Sequence, residues 1–369
     1  MVSLRTAHFH AFAGSALLFS SSILVGCGLS VNGVFKTSIA HYRAYGASIT
    51  QGRTLSNPAK QAYPALVAEF EKVNFVNNAL AGDQACDVPT RQIFPNKDSP
   101  TAHLHPTYTV LVGTNDVDVK GVGAYEAVFM LCHKALISWL AVPLEYKVLA
   151  TSNEMKTSGP GSLDTKNNWN AWTTGGPGAT VSFTITTRKE GPIYAWPRID
   201  DKNPGTYSYS LDGKVLGAGS TQTTPRISTE NFTTDSLGFL RLPVVSAGTH
   251  VVEFTQTSEG ANGLSILGIG APAEARADEL PTVLVGNITY QLHGGSIGAC
   301  VISDLPCLRY IQDIEADVNV FSSDGLRVRL FDTRKYMFGT AVEMNDSLHP
   351  NALGHIELSQ SVEASWRNQ

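Results

Sequence analysis

Several things are scarce in this 369-residue chain, and each scarcity removes a class of function. Only 16% of residues are charged and the formal net charge is -5, with no run of lysine and arginine, so nucleic acid is not the expected partner. Cysteine and histidine never cluster at zinc spacing, and no glycine-rich phosphate loop occurs, so neither a metal nor an organic cofactor is expected. No apolar run is long enough to span a bilayer comfortably. What is abundant is ordinary: 43% hydrophobic residues, enough for a large core in one or two domains.

The longest apolar run, residues 11–26, follows Arg5, His8 and His10 and reads as a signal segment, 1–27. It ends in Leu24-Val25-Gly26-Cys27, which resembles the bacterial lipobox, so a lipid anchor at Cys27 and an extracytoplasmic, secreted or cell-envelope location are expected. A plain secretory signal with a chance cysteine is the competing reading. Removing Cys27 leaves Cys86, Cys132, Cys300 and Cys307, an even number suited to an oxidising compartment. Cys300 and Cys307 are close enough to staple one loop, whereas Cys132, on an apolar helix, reads equally well as a buried thiol. Asn231, Asn287 and Asn345 open glycosylation sequons that are read as chance, since a glycan at Asn345 would crowd the site described below.

After a linker at 30–37, an apolar stretch from Ile39 to Tyr45 predicts a strand, and Tyr63, Leu66, Val67 and Phe70 predict a helix over 61–72. Strands are predicted at 73–79 and 107–112, and a long helix at 122–142. Strand alternating with helix predicts a parallel sheet covered on both sides, with ligands bound beyond the strands' carboxyl ends. The texture then changes. From about Ser158 to Ala271 the chain is rich in Gly, Thr, Ser and Pro, with short alternating runs at 180–186, 207–211 and 248–254 and a hairpin signal at Asp212-Gly213. These predict an antiparallel β-sandwich inserted as a domain. The α/β pattern returns with strands at 282–288 and 326–331 and a helix through Ile311, Ile314, Val318 and Phe321. Pro350 is expected at the first position of a closing helix. The expected division is 38–150 and 280–369 for the two parts of the α/β domain and 155–275 for the insert.

Four short stretches carry the chemistry. Gly46-Ala47-Ser48 ends the first strand, and small residues there allow a tight turn that presents a hydroxyl. Gly82 follows the second strand and offers an unobstructed backbone N–H. Gly113-Thr114-Asn115-Asp116 follows the third and offers a side-chain amide. In Asp346-Ser347-Leu348-His349 a carboxylate can fold back onto one imidazole nitrogen and leave the other for Ser48. Each alone is better explained as a turn or cap; their order gives them weight.

Together the four stretches resemble the SGNH hydrolases, also called GDSL esterases and lipases, over about 40–145 and 280–365. The resemblance implies a three-layer α/β/α parallel-sheet fold, interrupted here by the antiparallel insert. It implies Ser48 as nucleophile, His349 as base oriented by Asp346, and Ser48, Gly82 and Asn115 as the oxyanion hole. Ala47 departs from the pattern, which usually has aspartate there, so hydrogen bonding around the serine turn must differ. The implied activity is carboxylic ester hydrolysis with a small-molecule or glycan ester as partner, acetylated carbohydrate being the first substrate class to consider. Alternatives are a lipase or lysophospholipase, a glycan O-acyltransferase, and a non-catalytic glycan-binding surface protein. In the insert, Trp169, Trp172, Tyr194, Trp196, Tyr207 and Tyr209 offer a sugar-stacking platform, though core packing is the commoner use. Asp200 and Asp201 are read as a solvated turn rather than a calcium site, and His103 and His105 as hydrated loop residues with substrate contact as the alternative.

Overall fold

The computed structural model describes residues 41–96, 105–120, 124–165, 168–200, 205–220, 235–258 and 263–367. The signal segment with Cys27, the 30–37 linker, His103, Asp201 and Asn231 lie outside the described residues. The chain enters on β1 (His41–Gly46), α1 (Ser48–Gln51), α2 (Pro58–Gln61) and α3 (Tyr63–Glu71). Then come β2 (Asn74–Asn77), β3 (Thr107–Leu111), α4 (Thr114–Lys120) and α5 (Ala124–Ala141). Among the described residues, twelve strands without an intervening α-helix follow. They begin with β4 (Lys147–Leu149), β5 (Met155–Ser158), β6 (Gly161–Asp164), β7 (Ala171–Thr174), β8 (Thr180–Thr187) and β9 (Gly191–Asp200). They continue with β10 (Thr206–Leu211), β11 (Lys214–Ser220), β12 (Asp235–Leu237), β13 (Leu240–Val245), β14 (Gly248–Gln256) and β15 (Ser265–Gly270). The chain closes through β16 (Thr282–Gly286), α6 (Leu305–Ser323), β17 (Val328–Phe331) and α7 (Ala352–Arg367).

The parallel sheet has the order β17-β16-β3-β1-β2. Its inner strands β3 and β16 are buried at every position, as expected of apolar β-branched runs covered on both faces. The pleat sorts their residues. Tyr42, Ala44 and Leu284 pack with Tyr63 and Val67 of α3 and Leu358 and Val362 of α7. Tyr45, Tyr108, Val283 and Val285 turn the other way, into a cluster with Leu136 of α5 and Ile314 and Phe321 of α6. Strand β1 lies between β2 and β3, so successive crossovers leave it in opposite directions, and the crevice that ligands favour opens at its carboxyl end. Ser48 begins there.

The antiparallel strands form two sheets, β11-β10-β14-β8-β5 and β12-β9-β15-β7-β6, with β13 and β4 added to β9 and β15. Asp212 and Gly213 both take positive φ, the backbone that a tight two-residue hairpin between β10 and β11 requires. Val181, Phe183, Val252 and Phe254 face Ile193, Ala195, Ile266 and Ile269 across the gap. Tyr194 and Trp196, the alternate residues of β9, belong instead to the cluster that holds α5 and α6. The Trp196 indole donates to Ser138 Oγ (2.9 Å) and stands edge-on to Trp139 (5.2 Å). This second sheet is therefore apolar on both faces, and its aromatics are spent on packing. Trp169, Tyr194, Trp196 and Tyr207 are buried, with Trp172 and Tyr209 half-buried, so these side chains do not make the open platform entertained from sequence.

Antiparallel pairing reaches back to Lys147–Leu149, which pairs with β15. Two other expectations are corrected. Pro350 is not the first residue of the closing helix: it bridges to Met344, and Asn351 caps the helix by accepting the Leu353 and Gly354 N–H groups (2.9 and 3.2 Å). Cys132 is not a free thiol but is bonded to Cys86, while Cys300 pairs with Cys307. Among the described residues no helix is long and apolar enough to cross a membrane.

The Cys86–Cys132 bond closes a loop of sequence separation 46 and ties the segment after Gly82 to α5. Replacing Cys132 by alanine should lower the unfolding free energy by about 2–4 kcal/mol, read as a lower urea midpoint. An unchanged midpoint would show that the bond constrains nothing that packing does not already hold.

Candidate active site

The turn after β1 works only with glycine at 46. A Cβ there would sit 2.3 Å from Thr50 Oγ1 and 2.6 Å from the Leu111 carbonyl oxygen. The backbone at Gly46 is held on both polar atoms: its N–H donates to Gln92 Oε1 (3.2 Å), and its carbonyl accepts from Gln92 Nε2 (2.8 Å) and Leu80 N (3.2 Å). Two residues on, Ser48 opens α1, which Gly52 closes in the left-handed region. The Ser48 side chain is almost covered, at 7% exposed.

The Ser48 hydroxyl meets an imidazole from 301 residues further along: Oγ to His349 Nε2 is 3.0 Å. The other imidazole nitrogen, Nδ1, donates to Asp346 at 2.8 Å to Oδ2 and 3.0 Å to Oδ1. A proton on Nδ1, as that carboxylate demands, leaves Nε2 as an acceptor for the serine O–H. Asp346 Oδ1 also takes the backbone N–H groups of Leu348 (2.8 Å) and His349 (2.7 Å). Partial burial pushes the Asp346 carboxyl up, but the Leu348 N–H and the His349 side chain and N–H outweigh it and hold it below the ordinary value. It therefore stays ionised. The Asp346–His349 turn is anchored by Ser347, whose Oγ accepts from Ser296 N (3.0 Å) and whose carbonyl accepts from Leu292 N (2.9 Å).

Gly82 has φ +87°, a backbone that favours glycine, and Asn115 sits in the first turn of α4. Asn115 Nδ2 donates to the carbonyl of Asp83 (2.8 Å), and Asp116 accepts from Ala85 N (3.2 Å). The two stretches are thus tied to each other beyond the ends of β2 and β3. Near the end of α1 lies a cleft of about 570 Å³ whose lining is mixed, with Asn77, Asn78 and Arg91 among its polar residues and Pro58, Phe75 and Leu80 among its apolar ones, and which includes none of the candidate site residues.

Sequence reading missed the buried group beneath this arrangement. Asp83 is fully buried, paired with Arg91 and bonded through Oδ2 to Gln92 Nε2 (2.7 Å). Asp83 adjoins Gly82 and in principle invited attention, but nothing in the local pattern around Gln92 does. It missed His355 as well. Its Nδ1 accepts the Tyr63 N–H (3.2 Å), and burial, with a smaller contribution from neighbouring His349, pushes its pKa down to about 4. His105 is exposed just before the amino end of β3, at the opposite end of that strand from Asn115, so substrate contact there finds no support. Cys300, Asp304 and Cys307 come together, but the two sulfurs are joined to each other and offer no thiolate to a metal.

No protein-family model matches this sequence, and neither does any curated protein. Among solved structures, a two-domain esterase (CEX) active on acetylated mannans, co-crystallized with mannopentaose, aligns at TM-score 0.34 and 14% identity, covering 62% of this chain and 89% of that one. A family 35 carbohydrate-binding module from an environmental isolate aligns at TM-score 0.27 and 14% identity, over 34% and 90% of the two chains. The CBM35 of Cellvibrio japonicus Abf62 aligns at 0.26 and 18%, over 33% and 91%. At such scores none of them assigns a fold family or an activity to this chain.

Two predictions follow from the packing. Gly46→Ala, by forcing the serine turn off Thr50 and Leu111, should cost at least about 10²-fold in any Ser48-dependent rate, measured as ester turnover. A rate equal to wild type would mean that the turn tolerates the shift. His355, neutral in the fold with its pKa lowered from 6.5 to about 4, contributes stability that is complete above 6.5 and is lost as pH falls toward 4, because the unfolded chain protonates first. His355→Leu should therefore lose less stability than wild type between neutral pH and pH near 5 in urea titrations; equal losses would show that His355 is not held neutral.

Proposed function

We propose that this protein is a serine hydrolase of carboxylic esters of the SGNH type. Its three-layer α/β/α domain would be formed by residues 38–150 and 280–369, and the antiparallel sandwich at 155–275 is the insert. The observation that carries this reading is the continuous chain Asp346–His349–Ser48, with contacts of 2.8 and 3.0 Å. Such a chain lets a neutral imidazole take the hydroxyl proton as oxygen attacks a carbonyl.

In this reading Ser48 Oγ adds to the ester carbon while its proton passes to His349 Nε2. Asp346 stabilises the resulting imidazolium without accepting its proton. The tetrahedral oxyanion is met by the Ser48 and Gly82 backbone N–H groups and by Asn115 Nδ2, whose first hydrogen is engaged by Asp83 and whose second serves the oxyanion. Collapse breaks the ester C–O bond, and His349 returns the proton to the departing alcohol. A water molecule, deprotonated by the same nitrogen, then releases the acid and restores Ser48.

For the substrate, a short-chain, acetyl-type ester of a carbohydrate is the class to test first, because a polar glycan ester suits an extracytoplasmic enzyme that carries an antiparallel insert. Two disulfides support an extracytoplasmic location, where such bonds persist.

Purified protein should hydrolyse p-nitrophenyl acetate well and a long-chain p-nitrophenyl ester poorly, and should release acetate from an acetylated glycan. Ser48→Ala and Asp346→Asn should each lower kcat by roughly 10³–10⁴-fold or more. An Ser48→Ala variant that keeps wild-type turnover excludes the mechanism, and a preference for the long-chain ester excludes the substrate class.

A further inference from the structure

We propose that Gln92 is a positioning residue that locks the serine turn to the oxyanion donors, an inference that rests on the reading of Ser48 as nucleophile. Gln92 is fully buried in a π-helical turn, Pro89–Ile93, a local geometry often met at functional sites. Each polar atom of its amide is used. Oε1 accepts from Gly46 N–H, while Nε2 donates to both the Gly46 carbonyl and Asp83 Oδ2. Gly46 lies two residues before Ser48, and Asp83 lies one residue after Gly82 and holds Asn115 through its carbonyl oxygen. One side chain therefore spans the nucleophile's turn and the support of both remaining donors. Ala47 carries no polar side-chain atom, so no side chain inside the turn duplicates this clamp.

The clamp is itself braced from strand β12 and from the connection between β6 and β7. Thr90 Oγ1 donates to the carbonyl of Asp235 in β12 (3.0 Å), and Asn168 Nδ2 donates to the carbonyl of Phe94 (3.3 Å), one bond near each end of the π-helical turn. One end of the segment bearing Gln92 is thereby held by strand β12 and the other by the connection between β6 and β7, neither of which supplies a candidate catalytic residue. A buried amide that donates two hydrogen bonds and accepts one in fixed directions sets distance as well as cohesion, and a misplacement near 1 Å at a reacting centre is enough to cost about 10²-fold.

The test uses Gln92→Met, which keeps volume and removes both hydrogen-bonding groups, and Gln92→Glu, which keeps shape and places a second carboxylate against Asp83. In variants with wild-type near-ultraviolet circular dichroism, kcat for p-nitrophenyl acetate should fall about 10²-fold with KM unchanged. Inhibition by a trifluoromethyl ketone, which forms an oxyanion on Ser48, should weaken by the same factor. Should neither variant fold, Thr90→Val decides, since it loosens the brace without touching the amide: kcat should drop while KM holds. Wild-type kcat and inhibitor affinity in a folded Gln92 variant, or in Thr90→Val where that variant decides, overturn the proposal and leave the hydrolase reading intact if Ser48→Ala is inactive. Full activity of Ser48→Ala overturns both.

Discussion

Everything at the candidate site depends on a contact between a hydroxyl and an imidazole separated by 301 residues. A chain brings such groups together cheaply only if rigid elements do the bringing. Here a parallel sheet does so. Strand β1 ends beside β3, the crevice opens at the reversal in strand order, and the segment after β17 folds back so that Asp346 and His349 reach Ser48. Gly46 allows the turn its close approach to Leu111, and Asp346 fixes the imidazole tautomer that leaves an acceptor facing the serine. Neither device works without the other: a well-placed serine needs a nitrogen free to take its proton.

The antiparallel strands are more than an attachment. Their second sheet gives one face to its own sandwich core and the other to α5 and α6, so residues along β9 alternate between two cores, Ile193 and Ala195 in the first and Tyr194 and Trp196 in the second. Through Asp235 the same sheet reaches the π-helical turn bearing Gln92, and Ser236 Oγ donates to the Cys86 carbonyl (2.6 Å) beside the disulfide. The inserted strands thus bear on the region after Gly82 mechanically, whatever ligand they meet.

Much of the architecture is legible in the sequence because its signals are local. The apolar run at 107–112, the small residues around Ser48 and the Asp346-to-His349 spacing each occupy a few consecutive residues, and the strands and turns fall where those signals lie. What is not legible depends on distant partners. Gln92 bonds a backbone 46 residues away, so its neighbours in sequence carry no trace of the role. Tyr194 and Trp196 look like a stacking platform until the helices that cover them are in place. Pro350 fits a helix start by preference, yet Asn351 offers the helix a capping oxygen that proline lacks, and the cap wins. The cysteine pairing of 86 with 132 likewise depends on which loop meets which helix.

The central claim is that Ser48 is an activated nucleophile. The most direct measurement is peptide mapping by mass spectrometry after reaction with a fluorophosphonate. One adduct is expected, on Ser48 in the tryptic peptide 44–53, in wild type and not in His349→Ala. A wild-type protein that stays unlabelled, or one labelled at another residue while Ser48 remains free, would contradict it.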